Sequence, residues 1–210
     1  MNYDFLRKGD MNLNVFAISV EELLCHLKKR KGYVDNEFYD FEREEIVPHT
    51  RLLDIVDIKY KTQGIDNPEI NIIWEPSNAP GFTVFRSSLS DGRYTLAWKL
   101  AKGGLDCYRF EIHNEALPGY FFHRLSPYLE SKRVVHYIDE GSRKVFYQDG
   151  DLLPFEKPEY YERKKKKDRM NPEIIVEYMS AMGWNILDEN FWTSTKKAYK
   201  DVIIWKNKKL

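Results

Sequence analysis

Residues 107–148 read CYRFEIHNEALPGYFFHRLSPYLESKRVVHYIDEGSRKVFYQ, and the fold turns on this stretch. Four runs inside it, 107–113, 120–125, 133–138 and 144–148, are dense in aromatic and β-branched residues. Such residues fit a pleated, half-buried surface, so each run predicts a strand. Pro118-Gly119 and Glu140-Gly141-Ser142 supply turn chemistry between runs. Strands so closely spaced, with no helical period between them, predict an antiparallel meander rather than βαβ units.

The pattern extends outward on both sides. Upstream, 70–74 ends at Glu75-Pro76, and 82–86 and 93–100 flank Ser90-Asp91-Gly92, which reads as a hairpin. Gly103-Gly104 separates 93–100 from 107–113, and Asp149-Gly150 turns the chain into 152–155, a last expected strand. The expectation is an α+β protein with an antiparallel β-rich core over about residues 70–155, an N-terminal helix and a C-terminal helical and β appendage. Its expected division is a main domain, 1–156, with 157–210 packed on it.

Nearer the N-terminus, 11–18 opens with Met11, Leu13 and Val15 alternating with Asn12 and Asn14, a short half-buried strand. Ser19 with Glu22 forms a capping box, Leu23, Leu24 and Leu27 follow, and Gly32 supplies a stop. A helix over 20–31 is predicted. The secondary structure of 33–45 is ambiguous, and 52–60 reads as a strand. Near the C-terminus, Asn171-Pro172 starts a helix whose one side carries Ile174, Ile175, Tyr178 and Met182 and which Gly183 ends. Trp184, Ile186, Phe191, Trp192 and the 202–205 run are expected to dock on the main body.

Composition narrows the function classes. The chain has 210 residues, 42% apolar and 31% charged, which is globular usage and long enough for a proper core. No apolar run approaches the roughly 20 residues needed to cross a bilayer. Residues 1–19 carry early charges and predict no secretory leader. Cys25 and Cys107 are the only cysteines, and no Asn-x-Ser/Thr acceptor occurs. A reducing, cytoplasmic location is therefore expected. Cys25, beside Leu24 on its helix, is expected to pack.

Net charge is zero but unevenly spread: residues 1–156 hold 20 Lys+Arg against 25 Asp+Glu, and 157–210 hold 13 against 8. Such asymmetry marks either an interaction tail or two parts of one fold that attract each other.

No standard catalytic signature is present: no Gly-x-Gly-x-x-Gly, phosphate-binding loop, Gly-x-Ser-x-Gly, His-Glu-x-x-His or Cys-x-x-Cys. Asp149-Gly150-Asp151 lacks the other ligands of a calcium loop. Cofactors and metals are not expected.

Three candidate sites emerge instead. On strand 107–113, Cys107, Arg109, Glu111 and His113 share one face. Glu111 two residues from His113 suits acid–base work, with His123 and His136 on nearby strands as further members. The plain alternative is a solvated face with an Arg109–Glu111 ion pair. Cys107 has no designated base, and His26 and His49 have no evident partner.

The second candidate is the acidic–aromatic segment, where Asp35, Glu37, Asp40, Glu42, Glu44 and Glu45 surround Phe38, Tyr39 and Phe41. Rings among carboxylates suit docking of a basic protein; the alternative is rings folded back onto the core. The third is the run Arg163, Lys164, Lys165, Lys166, Lys167 with Arg169, which could meet phosphates while Tyr160 and Tyr161 stack on bases. Zero net charge weighs against nucleic acid.

The leading expectation is a non-enzymatic interaction module for a protein partner, on the pattern of small immunity or antitoxin proteins by analogy alone. An enzyme using Glu111 and His113, and nucleic-acid association through 163–169, are the alternatives.

Overall fold

Nine strands form one antiparallel sheet in the order β2-β9-β3-β4-β1-β5-β6-β7-β8. The computed structural model describes residues 10–30, 33–34, 37–53, 68–114, 118–128 and 132–206. The strands are β1 (Met11–Phe16), β2 (Tyr39–Ile46), β3 (Glu69–Trp74), β4 (Thr83–Ser87), β5 (Cys107–His113), β6 (Gly119–Leu125), β7 (Arg133–Asp139), β8 (Lys144–Asp149) and β9 (Ala198–Trp205). Among the described residues four α-helices accompany them: α1 (Val20–Lys29), α2 (Tyr94–Lys102), α3 (Pro158–Tyr161) and α4 (Pro172–Ala181). The protein is thus mixed α+β and strand-rich, and β5 to β8 form the expected meander.

Two expected strands are not strands. Residues 93–100 lie in or beside α2, because Ala97, Leu100 and Ala101 bury one stripe at helical spacing. Trp98 is exposed, with the Lys102 ammonium 3.9 Å from its ring centre. The presence of α2 places β4 and β5 on either side of β1 instead of adjacent. Residues 152–155 leave the sheet altogether: Leu153 N–H donates to Glu156 Oε1 at 2.9 Å, and Leu153 and Phe155 turn onto the core. The strand expected at 52–60 lies almost wholly outside the described residues.

Period-two alternation gives the sheet two different faces. On the first, Leu13, Trp74, Phe110, Phe122 and Val135 pack against Ile175, Tyr178 and Met179 of α4 and against Trp184, Phe191 and Trp192. Asn171 caps α4 by accepting from Ile174 N–H at 2.9 Å, as its Asn-Pro start predicts. On the second face, Phe16, Ile73, Phe85, Cys107 and Ile203 meet α1 and α2. Ser19 caps α1 as expected, accepting from Glu22 N–H at 3.1 Å. Cys25, however, is exposed rather than packed, and neither cysteine is bonded to the other.

Residues 157–206 supply both the layer on the first face and the internal strand β9, which lies between β2 and β3. The charge asymmetry is spent at this junction. Glu45 pairs with Lys197 at 2.9 Å, Glu44 with Lys200 at 3.2 Å, Asp40 with Lys206 at 2.8 Å and Glu75 with Lys196 at 2.8 Å.

Beside the apolar part of the second face runs a belt of buried polar groups: Asn12, Asn14, Glu69, Asn71, Arg109, Glu111 and Asp201. The loop leading into α2 is laid on this belt. Asn12 Nδ2 donates to Leu89 O at 3.0 Å and Asn14 Nδ2 to Gly92 O at 2.9 Å. Arg109 Nη1 donates to Gly92 O at 3.1 Å, its Nη2 to Asp91 O, and Arg93 clasps Glu69. Gly92 is needed twice over: its φ is +51°, and a Cβ there would sit 2.6 Å from Asn12 Cγ. Gly92→Ala should therefore cost about 2–4 kcal/mol, against about 1 kcal/mol for Gly141→Ala in the open β7–β8 turn. Urea unfolding of both variants checks this, with equal losses counting against the close approach.

Candidate functional site

The meander brings all four acid–base candidates to one place. Glu111 and His113 project from the second face of β5, His123 from β6 and His136 from β7. In register, Arg109 lies opposite His123, Glu111 opposite Phe121, and Phe121 opposite His136, which stacks on Tyr147 of β8 with ring centres 5.1 Å apart. The face is not the solvated one that simple alternation suggests. Arg109 is fully buried and Glu111 nearly so, and their ion pair closes at 2.6 Å.

Phe121 stands at the centre, its ring 5.7 Å from His113, 6.1 Å from His123 and 5.7 Å from His136. It holds the imidazoles around one hub and also keeps them apart. The direct acid–base contact is Glu111 Oε2 to His113 Nε2 at 2.9 Å, with Asp10 Oδ2 3.7 Å from the other ring nitrogen. Among the described residues no three His, Cys, Asp or Glu side chains gather closely enough to hold a metal ion.

The electrostatics separate the histidines. Burial pulls the His113 pKa down, but the hydrogen bond and charge of Glu111, helped by Asp10, outweigh it and leave the pKa raised. Burial pushes Glu111 up, yet His113 and Arg109 hold its carboxyl below the ordinary value. His123 goes the other way: burial and the Arg109 charge, against Glu111, depress it to about 4. Both its ring nitrogens are shut off from solvent and have no hydrogen-bond partner, and Tyr94 packs edge-on against the ring at 6.1 Å. Burial also lowers His136. Burial pushes the Cys107 thiol far above the ordinary range, which disfavours the thiolate a nucleophile needs.

Comparison with protein-family models, with curated proteins and with solved structures finds no match. The chemistry of the side chains is therefore the only guide to the site.

The acidic–aromatic segment is β2 with the residues before it. Alternation divides it: Asp40, Glu42 and Glu44 are exposed on the first face, while Tyr39 is buried and Phe41 half-buried on the second. Two of the three expected anchors thus join the core, Phe41 against Tyr33 at 5.9 Å and Tyr39 against Trp205 at 5.1 Å. Phe38 remains 45% exposed, and Ile204, opposite Asp40 on β9, is 43% exposed. Sequence reading missed Ile204, whose exposure depends on β9 pairing with β2. Glu37 and Glu45 are also exposed; Asp35 lies outside the described residues.

The basic run divides as well. Arg163 lies over Tyr160 at 4.0 Å and donates to Asp168 O at 2.7 Å. Arg169 lies 5.5 Å from the Phe146 ring centre and donates to Arg163 O at 2.7 Å. Tyr161 is buried, its hydroxyl donating to Glu156 at 2.6 Å. Tyr161 is thus closed to a base and the half-buried Tyr160 already carries a guanidinium on its ring, while Lys164, Lys165, Lys166 and Lys167 stay exposed.

The depressed pKa of His123 has a direct consequence. Between about 4 and the ordinary ~6.5, the unfolded chain binds the proton that the folded chain refuses. The contribution of neutral His123 is complete above ~6.5 and is lost as pH falls toward 4, amounting to about 3 kcal/mol. His113, with its raised value, acts oppositely: its contribution is present below ~6.5 and fades as pH rises through the raised value. His123→Phe should flatten the stability profile between pH 6.5 and 4 in urea unfolding, and an unaltered slope would refute the assignment.

Proposed function

We propose that the chain is a non-enzymatic protein-binding module whose docking surface is the exposed first face of β2 and the end of β9. The observation that carries this is the sorting of one short strand into a buried aromatic side and an exposed side. On that exposed side Asp40, Glu42 and Glu44 lie near the half-exposed Phe38 and Ile204. Apolar anchors beside carboxylates suit a basic partner, the charges steering encounter and the anchors slowing release.

The lysines that now pair with Asp40 and Glu44 do not block this. Exposed ion pairs contribute about 0–1 kcal/mol, so a partner's Arg or Lys can replace them at little cost. The histidine hub supports a catalytic reading less well, because Phe121 interrupts any relay among the imidazoles. A second reading, acid–base chemistry through Glu111, His113 and His123, draws support from the two unpartnered nitrogens of His123. The two readings occupy opposite faces of the sheet and separate by mutation.

The test is capture of a basic protein from the native host by the tagged chain, followed by kinetics with the purified partner. Changing Asp40 and Glu44 to Asn and Gln together with Glu42→Gln should slow association by about 10-fold and flatten its salt dependence. Phe38→Ala with Ile204→Ala should speed dissociation by about 10-fold or more. His113→Gln, which leaves the Arg109–Glu111 pair in place, should leave both rates unchanged. Binding indifferent to the β2 and β9 changes would refute the proposal.

A further inference from the structure

The lysines freed from the basic run face a hollow that sequence spacing does not reveal. The β7–β8 turn and the short 3-10 helix Lys166–Asp168 come together, and between them lies an open hollow of about 460 Å³. Ser142 and Lys144 line it from the hairpin, and Lys165, Lys166 and Lys167 from the helical turn. Lys166 Nζ donates to Lys144 O at 3.0 Å, which fastens the two walls together. The acids on these segments, Asp139, Glu140 and Asp168, are not part of the lining.

We propose that this hollow binds a small ligand carrying two or more linked phosphates. Four lysines and a serine line one depression, and such side chains suit several neighbouring anionic oxygens, because ammonium groups act as compact, rotatable donors to phosphate. The volume falls in the range of small-ligand sites, roughly 300–1,000 Å³. Lys144 also meets Asp139, at 3.4 Å, but that pair is half-exposed and exchangeable.

Arg163 and Arg169 divide the labour with the lysines. Their guanidinium groups hold the carbonyls of Asp168 and Arg163, so they shape the turn that presents Lys165 and Lys167. A small ligand fits better than nucleic acid on two grounds. Single-strand binding needs aromatic platforms beside the charge, and here Tyr160 lies under Arg163 and Tyr161 is buried. The hollow is also short, lined by five residues, where a nucleic-acid track is extended.

Calorimetric titration of the full chain with inorganic tripolyphosphate, at about 50 and 300 mM salt, tests this directly. One-site binding at low salt, about 10-fold or more weaker at high salt, is expected, with orthophosphate much weaker. Lys165→Ala and Lys167→Ala should each weaken binding by about 5-fold or more, while Lys164→Ala, which removes the same charge outside the lining, should change it less than about 2-fold. Thermal midpoints of the three variants should match the parent, since all three lysines are exposed. Absence of saturable binding, an equal effect of Lys164→Ala, or tighter binding of a twelve-residue oligothymidylate than of tripolyphosphate would each overturn the proposal. The site is independent of the β2 and β9 surface, so either can fail alone.

Discussion

The buried guanidinium of Arg109 is the constraint around which the second face is arranged. A cation removed from water costs several kcal/mol unless its donors are matched, and Arg109 satisfies them within one shell. Glu111 Oε1 accepts at 2.6 Å and Asn14 Oδ1 at 2.9 Å, and two backbone carbonyls of the 88–93 loop complete the set. Because those carbonyls belong to Asp91 and Gly92, the loop must lie flat on the sheet. Arg93 then adopts a left-handed conformation at φ +60° and the chain enters α2 immediately. One buried charge therefore fixes the loop, the start of the helix and the side of β1 on which β5 is laid.

The same requirement propagates sideways. Glu111 can serve Arg109 through one oxygen because its other oxygen is held by His113. At the far end of the belt, Asp201 is buried on β9 and accepts from Tyr33 at 2.9 Å and twice from Arg43, at 2.6 and 2.7 Å. Arg133 repeats the device near the other edge, gripping Glu156 so that the chain leaves β8 toward the first face. Each buried ion is thus a joint between sheet and connection, while the apolar clusters supply the bulk of the burial.

Much of this was legible in sequence where a local signal and the tertiary fold agree. Ser19 with Glu22, Asn171 with Pro172, and the turn at Glu140-Gly141-Ser142 act over a few residues, and the structure honours each. The segment after Gly92 was misread because Tyr94 to Leu100 supports both periods, and the decisive partner, Arg109, lies 17 residues or so away with nothing local to announce it. The shared face of Cys107, Arg109, Glu111 and His113 follows from alternation alone. That the face is buried does not, because burial depends on the loop that Arg109 itself recruits. The orphaned nitrogens of His123 and the hollow beside Lys165 were beyond reach for the same reason: both are made where segments distant in sequence meet.

Burial also separates the charges that build from the charges that remain available. Arg109, Glu111, Asp201 and Arg133 are enclosed, so removing a partner would strand a charge at about 3–5 kcal/mol, and they are committed to the fold. Asp40, Glu44, Lys200 and Lys206 form pairs of similar length in solvent, where the same geometry contributes little. Similar distances therefore carry opposite meanings on the two sides of β2. Inward, Asp201 fixes β9 beside its neighbours; outward, the β2 carboxylates hold their lysines loosely enough to exchange them. The acidic strand can in this way belong firmly to the sheet and still present charge to another molecule.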